Sequence, residues 1–194
     1  MTTVRNIAAG VQSMTSNAFL VDGERTVLVD AGDGFDAAAR IEEATGGLDA
    51  VVLTHTHPDH VGNIESVVDA FEVDVWGFDP EHPLVGHEID DGDHLRLGDA
   101  ECEALHTPGH KNDHVCLYAR GAGVLFAGDL VFANGGFGRT DLAEGNRETL
   151  VESIERLLET VDGSLDAMYV GHGPAVETNP RYHIELAAQA ARMG

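Results

Sequence analysis

The sequence predicts an α/β fold, a four-layer αβ/βα sandwich with helices outside two facing sheets. Three observations predict it. Short apolar runs of strand length recur along the chain, each stopped by turn residues. Stretches with helical spacing separate groups of these runs. The order also repeats, with several strands and then a helix in each half, the pattern of sheets covered by helices. The 194 residues suffice for one domain with a sizeable core, and a single domain over 1–194 is expected.

The elements follow in order. Asn17–Val21 and Thr26–Asp30 read as strands joined by the turn Asp22-Gly23-Glu24. Asp36–Ala44 is rich in Ala and Glu and reads as a helix stopped by Gly46-Gly47. Ala50–Leu53 is a strand, Val61–Phe71 suits a helix, and Val73–Trp76 is a strand again. A run of strands is expected over Asp93–Leu97, Glu101–His106, His114–Ala119 and Gly123–Ala127. Asn146 is a good helix N-cap, and Leu150, Val151, Ile154, Leu157, Leu158 and Val161 then recur at helical spacing. Ala167–Val170 is a strand, and Pro180–Arg192 reads as a final helix.

The chemistry sits where these strands stop. Thr54-His55-Thr56-His57-Pro58-Asp59-His60 places three imidazoles and a carboxylate directly behind Ala50-Val51-Val52-Leu53. The arrangement recurs: His106-Thr107-Pro108-Gly109-His110 follows a strand, as do Gly128-Asp129 and Gly171-His172-Gly173. Imidazole nitrogen and carboxylate oxygen suit zinc and iron. Loops held by a rigid sheet are where sites tend to form, so four such loops at one edge could converge on one or two metal ions.

The set His55, His57, Asp59, His60, His110, Asp129 and His172 resembles the motif pattern of the metallo-β-lactamase superfamily, and within it the glyoxalase II (hydroxyacylglutathione hydrolase-like) branch. The resemblance runs from Asp30 to about Pro180 and is far more specific for the superfamily than for a substrate. It implies the metallo-β-lactamase-type four-layer sandwich with metals at one edge. It implies two divalent metal ions, zinc foremost, with iron or a zinc–iron mixture as the alternative. His55, His57 and His110 would hold one metal, Asp59, His60 and His172 the second, and Asp129 would bridge them. A metal-bridging hydroxide would then attack a small thioester or related acyl substrate, with Asp59 as proton donor to the leaving group. Asp30, in Leu28-Val29-Asp30-Ala31-Gly32, resembles the first superfamily motif and reads either as a carboxylate orienting the ligand loop or as a turn carboxylate bonding nearby amides.

The loop Asn134-Gly135-Gly136-Phe137-Gly138-Arg139-Thr140-Asp141-Leu142 carries the substrate question. Its glycines suit a backbone that comes close to a ligand. Arg139 would bind a substrate carboxylate through its fork, or pair with Asp141 as a structural clamp. The Gly-Arg-Thr-Asp run is similar to that of single-domain glyoxalase II-like hydrolases and of persulfide dioxygenases. Full-length glyoxalase II enzymes carry a C-terminal helical domain, and here one helix follows His172, so a small thioester at an open site is expected rather than a glutathione thioester. Lys111-Asn112-Asp113-His114 departs from the family's usual continuation of the third motif and puts a carboxylate and an imidazole close to His110. His82, His87, His94, His114 and His183 match no ligand position, and His106, which precedes the His110 turn, is expected to pack under it.

Alternatives remain. A mononuclear iron persulfide dioxygenase would hold iron through His55, His110 and Asp129 alone. A lactonase or β-lactamase-like hydrolase would share the metal loops, although classical β-lactamases commonly lack the bridging Asp. A metal-binding module without activity would retain the donors for no catalytic end.

Eleven basic residues stand against 34 acidic ones, a net charge of −23, and Lys111 is the only lysine. An acid-rich, lysine-poor surface resembles that of proteins from salt-accumulating halophiles, where salt screens self-repulsion. Such a surface is a poor partner for a phosphate backbone, so no nucleic acid is expected. No signal peptide is evident from Met1 onward, and no apolar run approaches the ~20 residues of a membrane span. A cytoplasmic enzyme with a small-molecule substrate and no membrane partner, either monomer or homodimer, is expected. Cys102 and Cys116 read as small buried side chains.

Overall fold

The computed structural model describes residues 3–193; Met1, Thr2 and Gly194, the ends of the expected single-domain span, lie outside the described residues. The chain groups into two compact units, one running to Ile89 and adding Leu95–Glu101, the other made of Asp90–His94 and the chain from Cys102 onward.

The first unit is built on a mixed sheet of β1 (Thr3–Asn6), β2 (Phe19–Asp22), β3 (Val27–Val29), β4 (Ala50–Val52), β5 (Asp74–Gly77) and β6 (His87–Glu88), in that spatial order. The first three strands pair antiparallel and β3 to β6 pair parallel. The β3–β4 crossover is spanned by α1 (Ala37–Thr45), and the β4–β5 crossover by α2 (Pro58–Val61) and α3 (Ile64–Phe71). α1 starts where the Asp36 side chain accepts from the Ala39 amide and stops at Gly46, whose φ of +71° a side chain would resist. Leu20, Leu28, Ile41, Val51, Leu53, Ile64 and Val67 form the core. β4 is buried on both faces, as a central parallel strand must be.

Two features of this unit differ from the sequence expectation. The helix expected over Val61–Phe71 is divided at Gly62-Asn63, and α2 starts three residues earlier, at Pro58 in the first helical position. β1 and β6 were not foreseen: both are short, polar edge strands whose side chains carry no apolar alternation.

A second sheet has the order β11-β10-β9-β8-β7, with β7 spanning His94–Leu97, β8 Ala100–His106, β9 Val115–Ala119, β10 Val124–Gly128 and β11 Ala167–Val170; Leu95–Glu101 groups with the first unit and the rest of these strands with the second. α4 (Arg147–Thr160) and α5 (Pro180–Met193) pack on it over Leu105, Leu125, Leu150, Ile154, Leu157, Met168 and Ile184. Asn146 caps α4 by accepting from the Thr149 amide.

Strand direction places the chemistry. Val29 and Val52 are register partners in a parallel pair, so Asp30 and Thr54 leave the first sheet at one edge. β10 and β11 are parallel with Gly128 opposite Val170, so Asp129 and His172 leave the second sheet together. β8 pairs antiparallel with β9, and β9 with β10, so the end of β8 that leads to His110 points to that same edge.

Candidate metal centre

In the first unit the donor loop is shaped by α2. His57 is the N-cap residue in extended backbone, Pro58 sets the first turn, and His60 comes round fully buried. Asp30 anchors this turn from below. It is buried and adopts φ +56°, a left-handed conformation that Asp tolerates better than most residues. Its Oδ1 accepts from the Thr54 amide at 2.8 Å, and its Oδ2 accepts from the Thr54 hydroxyl at 2.7 Å and from His60 Nδ1 at 2.8 Å. Around it, the Ala31 and Gly32 amides both donate to the His60 carbonyl.

These bonds fix ring tautomers. Asp30 takes the His60 Nδ1 proton, which leaves Nε2 as the ring's lone-pair nitrogen. The Thr54 hydroxyl is committed to Asp30, so its oxygen accepts from His55 Nδ1, 3.2 Å away, and His55 Nε2 is likewise the lone-pair nitrogen. That Nε2 lies 3.1 Å from His57 Nδ1, and the His55 and His60 ring centroids are 4.0 Å apart. Two nitrogens on one tetrahedral metal at ~2.05 Å keep a separation of roughly 3.3 Å, so this donor pair fits a cation. Asp59, half-buried in the first turn of α2, adds a carboxylate, and its carbonyl accepts from the Ser16 amide.

In the second unit Asp129 Oδ2 lies 3.5 Å from His110 Nε2 and 3.5 Å from His172 Nε2. His110 Nδ1 donates to the Arg139 carbonyl at 2.8 Å, so its Nε2 meets the carboxylate as acceptor against acceptor, an arrangement that a shared cation resolves. His55, His57, Asp59 and His60 of one unit and His110, Asp129 and His172 of the other are the residues whose side chains offer metal-binding atoms. The donor set of nitrogen and carboxylate oxygen suits divalent zinc or iron.

The contact that His114 makes with Asp129 was not foreseen in the sequence. His114 is fully buried, accepts the Asp129 amide at Nε2 over 3.0 Å, and meets Thr107 Oγ1 through Nδ1 at 2.9 Å. Sequence offered one signal, the unusual Lys111–His114 stretch, but its partner lies 15 residues away and is main chain, which spacing does not reveal. Lys111 itself is mostly buried between Asp113 and Glu144, 3.3 Å from each.

The glycine loop is packed on its own protein. A Cβ on Gly138 would stand 2.1 Å from the Asp129 carbonyl and 3.0 Å from His110 Cβ. Arg139 extends into solvent with its fork closed on Asp141, Nε to Oδ1 and NH2 to Oδ2 both at 2.8 Å. Those bonds hold the Asp141 carboxyl down at about 2. Cys102 and Cys116 are buried, and burial pushes the Cys116 thiol up to about 12, so it stays protonated. Away from the donors, His87 stacks on Trp76 and meets Asp74, His183 accepts the Asn134 amide, and His106 bonds the Asn112 carbonyl.

Two α/β units, each a mixed sheet with flanking helices and His/Asp loops at strand ends, define the metallo-β-lactamase fold. The profile of the metallo-β-lactamase superfamily matches residues 13–172, and the chain belongs to that superfamily. Among its relatives is the hydroxyacylglutathione hydrolase of Chromohalobacter salexigens, 35% identical over 151 residues, which cover 77% of this chain and 57% of that one. The chain thus spans a little over half the length of that curated relative. A probable metallo-hydrolase of Bacillus subtilis, YqgX, is 31% identical over 182 residues, covering 82% of this chain and 85% of the other. The crystal structure of TTHA1623 in a di-iron-bound form superposes with a TM-score of 0.76 at 28% identity, covering 96% of this chain and 97% of that one. Among the described residues no helix is long and apolar enough to cross a membrane.

Proposed function

We propose that the protein is a dinuclear metal-dependent hydrolase of small thioesters or related acyl compounds, similar in chemistry to glyoxalase II. His55, His57 and His110 are assigned to one metal, Asp59, His60 and His172 to the other, and Asp129 to both. The observation that carries the reading is the fixed polarity of the imidazoles. His55, His60 and His110 each commit Nδ1 to an oxygen acceptor and keep Nε2 for a cation. The relatives named hydroxyacylglutathione hydrolase support the reaction class, and the di-iron-bound TTHA1623 supports a pair of metals.

Bound divalent metals supply a water acidic enough to lose its proton near neutral pH and Lewis acidity for the acyl oxygen. The chain's own residues do the rest. Asp30 and Thr54 hold two imidazoles in register, and His114 Nε2 holds the Asp129 main chain by accepting its amide. Asp59 is assigned proton transfer to the leaving group. Arg139 is assigned a substrate carboxylate. Its pair with Asp141 is exposed, with side chains 62% and 71% accessible, and such pairs contribute little, so exchange of one carboxylate for another costs little.

Metal content tests this reading. Protein purified in molar KCl from cells supplied with zinc and iron should carry close to two metals per chain and hydrolyse thioesters. Asp129→Ala should lose metal and activity together. One iron per chain with oxygen uptake on a persulfide would overturn the hydrolase in favour of a dioxygenase.

A further inference from the structure

We infer that His114 is a positioning residue that sets the Asp129 carboxylate by holding its main chain, an inference that rests on the assignment of Asp129 as a metal ligand. The geometry is closed on every side. The Asp129 amide donates to His114 Nε2 at 3.0 Å, so that nitrogen carries the lone pair. The proton of the neutral ring is then on Nδ1 and goes to Thr107 Oγ1, 2.9 Å away. The Thr107 hydroxyl passes its own proton toward the Leu105 carbonyl at 3.4 Å or Cys116 Sγ at 3.5 Å. The Cys116 thiol, kept protonated by burial, lies 3.6 Å from the Ala127 carbonyl on β10. The thread therefore ties the end of β8, which leads to His110, to the end of β10, which leads to Asp129. The Thr107 amide also donates to the His114 carbonyl at 2.9 Å, which fixes the imidazole from its own backbone.

His114, Thr107 and Cys116 are fully buried, so the thread is shielded from water. It meets Asp129 through the main-chain amide, and the His114 ring stands edge-on to His110 with centroids 6.4 Å apart, so it acts on direction rather than on chemistry. Freed from His114, the Asp129 amide would lack its side-chain acceptor, and the carboxylate would lose its aim at His110 and His172.

Two substitutions separate aim from bulk. In His114→Gln the side-chain oxygen reaches the place of Nε2 and can accept from Asp129. In His114→Asn the amide reaches only the place of Nδ1, so it serves Thr107 and leaves Asp129 without its acceptor. Metal affinity measured by chelator competition should fall about 10- to 100-fold in His114→Asn and only a few-fold in His114→Gln. The visible absorption of the cobalt-loaded protein should change in the first and not in the second. Apo-protein melting temperatures give the purely structural effect of each change. Equal losses of affinity in both variants, or wild-type affinity in His114→Asn, would overturn the inference. If His114→Asn does not fold, Thr107→Val removes the Nδ1–H acceptor at nearly constant shape. It should weaken metal binding while Thr107→Ser keeps it, and equal affinities would overturn the inference as well. Asp129→Ala separates this from the underlying reading: metal retained there sinks the ligand assignment, and metal lost there but kept in His114→Asn sinks only the role of His114.

Discussion

Asp30 shows how much one carboxylate can organise. Its two oxygens accept three donors, the Thr54 amide, the Thr54 hydroxyl and His60 Nδ1. Asparagine has the same shape but a single acceptor oxygen, so Asp30→Asn sets an NH2 group against donors that are already buried. We expect metal affinity to fall by about 10- to 100-fold and apo stability to fall by about 1–3 kcal/mol, read by chelator competition and urea unfolding. Unchanged affinity would mean that His60 holds its orientation without Asp30. Asp141 offers a pH prediction. The forked hydrogen bonds of Arg139, and then its own amide, hold its carboxyl at about 2 instead of the ordinary 3.8. Because the folded value is the lower one, whatever the pair contributes is present above pH 3.8 and is lost as pH falls toward 2. In carbon-detected NMR, Asp141 should titrate near 2 in the parent and return toward its ordinary value in Arg139→Ala. A substrate carboxylate at Arg139 predicts in addition a raised KM in that variant with kcat retained.

At the scale of elements, α4 braces the third donor loop. The Asn146 amide donates to the Gly109 carbonyl at 2.7 Å, Ser153 Oγ to the Pro108 carbonyl at 2.7 Å, and Arg156 to the His106 carbonyl at 2.8 Å. Gly109 allows this closeness: its φ is +121°, and a Cβ there would stand 2.3 Å from the Leu150 amide. Gly109→Ala should therefore push α4 and His110 apart and lower both stability and metal retention, whereas Asn146→Ala should cost only the cap, about 1 kcal/mol, with metal retained. Thermal melts with metal analysis distinguish the two, and loss of metal in Asn146→Ala would deny the local nature of the cap. The cap, the helical stripe of α4 and the strands that precede each donor loop were legible in sequence, because apolar periodicity and turn residues report them directly. The brace was not, since the Ser153 and Arg156 side chains reach main-chain carbonyls some 45 and 50 positions away and the Asn146 amide reaches that of Gly109. The glycine run in 134–138 was legible as a close approach, but sequence cannot name what is approached; for Gly138 it is the Asp129 carbonyl and the His110 side chain.

For the whole molecule, charge and metal are the two levers on stability. With 34 acidic and 11 basic residues, net −23, the folded chain concentrates like charge that unfolding would disperse. Raising KCl from 0.1 M to 1 M shortens the screening length from about 10 Å to about 3 Å, so the melting temperature should rise with salt. The superfamily profile runs continuously from residue 13 to 172, through both compact units. If the seven donors serve one metal pair, as proposed, metal binds only the folded chain and its removal must weaken both units at once. The sequence has one tryptophan, Trp76, on β5 of the first unit, whereas the two longest helices, α4 and α5, belong to the second. Tryptophan fluorescence therefore reports the first unit, whereas helical circular dichroism, with α1 to α3 in the first unit and α4 and α5 in the second, reports both. In the metal-loaded protein at high salt the two signals should lose native structure in one coincident transition. Chelation should lower that transition for both probes together. Two separated midpoints in the loaded protein, or a chelator effect confined to one probe, would show that the units fold and bind independently and would remove the physical basis for a shared centre.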